Sequence, residues 1–260
     1  MYNIKDYLVG LERFAPLYLS HKMIEKGHYD NSGIIVANHD DVKKVLYTLD
    51  LSLESVNYAI KQGCDTVVTH HPAIYAPIKQ MEFDGENKAL LSAIKNNLNV
   101  ISMHLNLDVA EKGIDYQLAL STGGRLLGNI DVVEDNCGYG KSVEIDLQDL
   151  KTFTEKLKTT LKTDKVIVYG DGKVNKVATF CGAGASDAVC VAKQDKFAVD
   201  TVVTSDVAHH NLLELIERNK NVVIIPHYVA ENFGFEKFYE YARENLRGAE
   251  AYYFTDKRFM

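Results

Sequence analysis

The sequence predicts an α/β fold made of two related modules that face each other across a cleft. Three observations carry this. Strand and helix signals alternate along the 260 residues. One five-residue strand is repeated letter for letter in the two halves, Asp65-Thr66-Val67-Val68-Thr69 and Asp200-Thr201-Val202-Val203-Thr204. Each copy is followed, after a helix, by a strand opening Asn-Val (Asn99-Val100, Asn221-Val222) that ends near a histidine, His104 or His227.

Taken in order, the first element is a helix over Ile4 to Phe14, with Ile4, Tyr7, Leu8, Leu11 and Phe14 on one face. Gly33 to Ala37 reads as a short buried strand, and Val42 to Leu49 fits either strand or helix. Ser52 suits an N-cap for a helix over Leu53 to Lys61 that Gly63 ends. Asp65 to Thr69 is a strand, Asn87 to Asn97 a helix, Val100 to Met103 a strand and Gly113 to Ser121 a helix. Gly123 to Lys141, rich in Gly, Asn and Asp, suits a crossing between modules. In the second half, Leu147 to Leu161 is amphipathic, and Val166 to Tyr169 and Val174 to Phe180 flank Gly170-Asp171-Gly172, a hairpin signal. Helices follow at Ser186 to Lys193, Asp206 to Glu217 and Asn232 to Asn245. Strands are expected at Thr201 to Thr204, Val222 to Ile225 and Ala251 to Phe254.

Composition narrows the function classes. Hydrophobic residues make up 46% and charged residues 25%, as in an ordinary globular protein. A formal charge of -7 and a pI near 5.7 give no electrostatic footprint for nucleic acid or an anionic membrane. No apolar run approaches a membrane span, and Lys5, Asp6 and Glu12 interrupt any signal-peptide core, so a cytoplasmic location is expected. Cys64, Cys137, Cys181 and Cys190 form no Cys-x-x-Cys pair and read as buried, reduced thiols.

The histidines carry the chemistry. Six of nine, His70, His71, His104, His209, His210 and His227, fall at or just beyond the carboxyl ends of expected strands, where open α/β sheets collect ligands. Adjacent strand residues face opposite ways, so His70 and His71 reach one site only if the chain turns, which Pro72 promotes. His104 and Asp108 are four apart, as are His227 and Glu231. On a helical turn each pair shares a face and makes an imidazole–carboxylate ligand set for a divalent metal. A surface ion pair or helix cap is the plainer explanation of one such pair, and much less so of two beside a His-His-Pro. His209 and His210 open a helix and suit either an exposed face or proton transfer, while His21, His28 and His39 lack partners at ligand spacing. Gly182-Ala183-Gly184-Ala185-Ser186 follows a strand and could cradle an anion, without the spacing of a nucleotide-binding loop. The absence of a Gly-x-Ser-x-Gly elbow disfavours serine hydrolysis.

Through Asp30-Asn31-Ser32-Gly33, Thr69-His70-His71-Pro72, His104-Leu105-Asn106-Leu107-Asp108 and His227-Tyr228-Val229-Ala230-Glu231, in this order and separation, the chain resembles the GTP cyclohydrolase 1 type 2 homologues, the NGG-one-interacting-factor-three-like family. The resemblance spans nearly the whole chain. It implies two divalent metal ions (Zn, Fe, Mn, Co or Ni) with ligands at His70, His71, Asp108, His227 and Glu231, and His104 beside them. It also implies that the two modules are interleaved, 1–127 with 227–260 and 128–226, facing a shared metal-binding cleft, and that the chain forms a homohexamer of the short form. Leu105 stands where the family often has Thr, and Ser205 where it often has Gly; both spare the ligands. The expected function is a metal-dependent hydrolase acting on a small molecule such as a nucleotide or phosphoester, with His104, His209 or His210 moving protons. The alternative is a non-catalytic metal-binding regulatory or interaction scaffold.

Overall fold

The computed structural model describes residues 2–82, 85, 87–194 and 196–260. In chain order its elements are β1 (Tyr2–Asn3), α1 (Ile4–Glu12), α2 (Leu17–Glu25), β2 (Gly33–Val36), β3 (Asp41–Val42), β4 (Lys44–Thr48), α3 (Leu53–Gln62), β5 (Thr66–Thr69), α4 (Lys88–Lys95), β6 (Asn99–Ser102), α5 (Leu105–Val109) and α6 (Ile114–Ser121). There follow β7 (Arg125–Glu134), β8 (Cys137–Asp149), α7 (Leu150–Leu161), β9 (Ile167–Tyr169), β10 (Lys173–Thr179), α8 (Ala185–Lys193), β11 (Thr201–Thr204), α9 (His209–Glu217), β12 (Asn221–Ile224), α10 (His227–Asn245) and β13 (Glu250–Phe254). The chain divides into two compact units, Met1–Leu107 with Phe235–Lys257, and Asp108–Gly234 with Arg258–Met260.

The first unit is built on a five-stranded sheet of order β13-β4-β5-β6-β2, parallel except for the edge strand β2. Because side chains alternate along a strand, β4 serves two layers. Leu46 joins Val67 and Val100 against Val56, Ala59 and Ala93 of α3 and α4. Its neighbour Tyr47 meets Phe235 and Phe238 of α10, and its hydroxyl lies 2.6 Å from that of Tyr7 in α1. The ambiguous stretch from Val42 is therefore strand. Ser52 caps α3 through a reciprocal pair with Ser55, and Gly63 closes that helix in the left-handed conformation at φ 69°.

The second unit carries a six-stranded mixed sheet of order β7-β8-β10-β11-β12-β9. Ala178, Val202 and Val222 on its central strands pack with Ala188, Val189 and Leu215 of α8 and α9. Two expectations give way here. Residues 123–141, expected as a crossing, are largely the hairpin of β7 and β8, whose ten and thirteen residues pair antiparallel. Glycines at 128 and 140 serve that hairpin rather than a linker, both at positive φ. The strands around Gly170-Asp171-Gly172 do not form a hairpin either. β9 pairs with β12, while β10 lies between β8 and β11. The glycines instead let the chain pass over the end of the sheet against Asn221: its side-chain oxygen accepts from the Gly172 N–H at 3.1 Å, and a Cβ on Gly170 would meet it at 2.5 Å. The last long helix also starts five residues early, at His227 rather than Asn232, which puts His227 and Glu231 on one helical face.

The repeated strands occupy matching places. β5 and β11 are each central, fully buried, and flanked by parallel strands. The Asp before each does the same work. Asp65 accepts from the backbone N–H groups of Lys43 and Lys44, and Asp200 from those of Asn175 and Lys176. Thr66 and Thr201 each donate to the preceding carboxylate. Asn99 and Asn221 each accept from a crossing loop, Asn38 in one unit and Gly172 in the other.

Candidate metal-binding residues

The first unit gathers three histidines at the carboxyl end of its sheet. At the end of β5 the N–H groups of His70 and His71 both donate to Leu49 O, at 3.1 and 3.0 Å, so the strand stops and the chain turns. Thr69 Oγ1 donates to His71 O at 2.8 Å and holds that turn. The two rings come to 4.9 Å instead of pointing to opposite faces, and His104, two residues past β6, lies 5.1 Å from His70 and 5.8 Å from His71. One ring nitrogen from each of the three lies within 4.8 Å of the others.

Each ring is held by its Nδ1. His70 Nδ1 is 2.8 Å from Met103 O, His71 Nδ1 is 2.6 Å from Asp50 Oδ1, and His104 Nδ1 is 2.7 Å from Asp30 Oδ1. An oxygen can only accept, so Nδ1 carries the hydrogen, and in the neutral ring Nε2 carries the lone pair. This is the arrangement by which proteins orient metal-binding imidazoles. Asp30 is itself fixed. Ser20 donates to its Oδ2, Ser32 does so at 2.7 Å, and Ser32 Oγ accepts from the His104 N–H at 3.0 Å. Burial alone would raise the Asp30 carboxyl, but the bonds from His104, Ser20 and Ser32 outweigh it and hold its pKa below the usual value.

The second unit contributes an acidic set. Asp108 lies in α5 and Glu231 in the second turn of α10; they are 4% and 2% exposed, and an oxygen of each lies within 4.8 Å of the other. His227 opens α10 with Nδ1 at 2.7 Å from Asp206 Oδ2 and Nε2 at 2.9 Å from Glu231 Oε2. A neutral imidazole has a single N–H. Oxygens facing both nitrogens therefore call for a second proton or for a cation shared between Nε2 and the carboxylate. A buried pair of carboxylates likewise needs positive charge nearby. The donor set thus fits a divalent cation.

Cys181 and Gly182, on the strap between β10 and α8, border these groups. Cys181 Sγ is 3.4 Å from Asp108 Oδ1, and a Cβ on Gly182 would stand 2.7 Å from Glu231 Oε1. A carboxylate thus takes the place beside the glycine-rich strap where the sequence suggested an anion. Burial pushes the Cys181 thiol well above its usual pKa, with the charges of Asp108, Asp115 and Glu231 acting the same way.

The structure brings His70, His71 and His104 together in the first unit, and Asp108, His227 and Glu231 in the second. It leaves His209 and His210 exposed at the start of α9, outside these sets. Asp50 and Cys181 escaped sequence reasoning because neither sits at ligand spacing from a histidine. Asp206 was visible only as a neighbour of Ser205. The cysteines also differ from expectation: all are free, but Cys190 is exposed and Cys137 half-buried.

Known proteins resemble this chain in sequence and in fold. The sequence model of the Duf34/NIF3 (NGG1p interacting factor 3) family matches residues 2–257. A Methanocaldococcus jannaschii protein named GTP cyclohydrolase 1 type 2 homolog is 31% identical over 247 residues, covering 93% of this chain and 95% of its own length. A Clostridium acetobutylicum protein of the same name is 26% identical over 235 residues, 88% of this chain and 85% of its own. Among solved structures, reduced HcgD from Methanocaldococcus jannaschii superposes with a TM-score of 0.79 at 29% identity, over 96% of this chain and 97% of that one. A hypothetical protein from Staphylococcus aureus shares the fold with a TM-score of 0.83 at 23% identity, over 98% and 97% of the two chains.

Proposed function

Because this chain belongs to the Duf34/NIF3 family, we propose that it binds two divalent metal ions and acts as a metal-dependent hydrolase on a nucleotide or phosphoester. The proposed ligands are His70 and His71 of the first unit and Asp108, His227 and Glu231 of the second. One observation carries it: four imidazoles, those of His70, His71, His104 and His227, are each anchored through Nδ1 to an oxygen. Ordinary surface histidines have no reason to share that design.

Bound cations would supply Lewis acidity and lower the pKa of a water molecule. Asp108 and Glu231 offset their charge. His70 and His71 would offer Nε2, with their rings fixed by Met103 O and Asp50. His104 holds or passes a proton at Nε2 while Asp30 keeps the hydrogen on Nδ1. His209 and His210, exposed on α9, are the remaining candidates for proton transfer. Names of relatives point to GTP as the first substrate to assay, with simple phosphoesters beside it.

A second reading, a non-catalytic metal-binding scaffold, draws on burial: His70 is 0% and Glu231 2% exposed, as suits a coordinatively closed site. The test is metal analysis and turnover on protein reloaded with Zn, Mn, Fe, Co or Ni and dialysed. Retention of about two equivalents per chain, with hydrolysis of GTP or a phosphoester above a His70→Ala/Asp108→Ala control, is expected. Metal retention with no turnover would move the assignment to the scaffold. Less than about one equivalent after reloading would end the metal reading itself.

A further inference from the structure

The second unit buries an ion pair that the proposed reaction does not use. Lys141 of β8 and Asp115 of α6 have side chains 1% and 0% exposed, with Nζ 3.5 Å from Oδ2. Lys141 also donates to Gly138 O. Burial drives the Asp115 carboxyl up in pKa, against Lys141 and against backbone bonds from Cys181 and Gly140. Such pairs often stabilise a fold no better than apolar residues of the same volume. Their value lies in what they hold.

Asp115 holds the strap beside the acidic set. Its Oδ1 accepts from the Cys181 N–H at 3.0 Å, and at the other side of that residue the Tyr139 hydroxyl donates to Cys181 O at 2.5 Å. The backbone of Cys181 is thereby gripped at both its polar groups. Its two outward features then meet the carboxylates: Cys181 Sγ donates to Asp108 Oδ1, and Gly182, at φ +59°, leaves room for Glu231 Oε1 where any side chain would collide. We propose that Asp115, supported by Lys141 and acting through the Cys181–Gly182 strap, is a positioning residue for the carboxylates of Asp108 and Glu231. This rests on the reading that those carboxylates bind metal. In this role Asp115 offers an acceptor to the Cys181 N–H with Lys141 packed against it, so carboxylate placement depends on a group two contacts away.

The experiment compares two double variants with wild-type apoprotein, titrated with Co²⁺ and followed by its visible absorption bands. Asp115→Asn/Lys141→Met removes the ion pair but keeps an acceptor for the Cys181 N–H. Asp115→Leu/Lys141→Met removes both. The first should keep the wild-type spectrum and affinity. The second should bind Co²⁺ about 10–100-fold more weakly with altered bands, while its denaturation midpoint stays at or above that of the first. A folded Asp115→Leu/Lys141→Met protein with wild-type spectrum and affinity overturns the proposal. If that variant does not fold, Asp115→Ala/Lys141→Met takes its place: it too lacks an acceptor for the Cys181 N–H and should weaken Co²⁺ binding and alter the bands in the same way, and a wild-type spectrum and affinity overturn the proposal. Wild-type protein that takes up no Co²⁺ would instead overturn the metal reading on which this inference stands.

Discussion

At the residue level the decisive feature is how each imidazole is turned. His70 finds a backbone carbonyl, and His71, His104 and His227 find Asp50, Asp30 and Asp206. Asp30 offers the cleanest pH test. Its folded pKa lies below the ordinary value of 3.8, so between those values the folded protein binds fewer protons than the unfolded chain. Its contribution to stability is present above the ordinary value and vanishes as pH falls through the folded one. Asp30→Asn should therefore be less stable than wild type at pH 7, and in urea denaturation curves the gap should narrow progressively as pH falls below 3.8. The thiols give a second test. Burial pushes Cys64 up to about 12 and also raises Cys137 and Cys181. Iodoacetamide at pH 8 followed by peptide mass spectrometry should find Cys190 labelled first and Cys137 more slowly. Cys64 and Cys181 should stay protected until denaturant is added. Prompt labelling of Cys181 would contradict its burial on the strap.

At the level of elements, the repeated Asp-Thr-Val-Val-Thr strands show how one short sequence solves the same problem twice. A strand entering the middle of a parallel sheet leaves N–H groups of the neighbouring strand's start without ladder partners, and the Asp before it accepts two of them. Each bond to a carboxylate is worth more than a neutral one. Asp65→Ala and Asp200→Ala should accordingly each cost about 1–3 kcal/mol in chemical denaturation, and the two losses should be similar. A loss confined to one of them would mean that the repeat is shared letters without shared mechanics. The strand itself was legible in the sequence because β-branched residues in a short apolar run have few other uses. The Gly170-Asp171-Gly172 turn was misread for a complementary reason. Glycine supplies a backbone freedom that a hairpin and a loop packed on Asn221 both need, and nothing local distinguishes them.

For the whole molecule, metal binding should appear as stability. A ligand that binds only the folded state at about 100 times its Kd adds about 2.7 kcal/mol. The melting temperature of apoprotein should rise with added divalent metal, fall back with EDTA, and stay flat in the His70→Ala/Asp108→Ala variant. A metal-independent melting curve for the wild type would refute two-ion binding. No helix among the described residues is long and apolar enough to cross a membrane.

The strand–helix alternation, the cap at Ser52, the repeated strand and the spacing of His104 with Asp108 and His227 with Glu231 were determined by the sequence alone, because each is a local pattern set by side-chain period and backbone preference. Tertiary structure decided the rest: the partner of β9, the early start of α10, and the Asp50, Asp206 and Cys181 contacts. Those depend on groups far apart in the chain, whose meeting no local preference encodes.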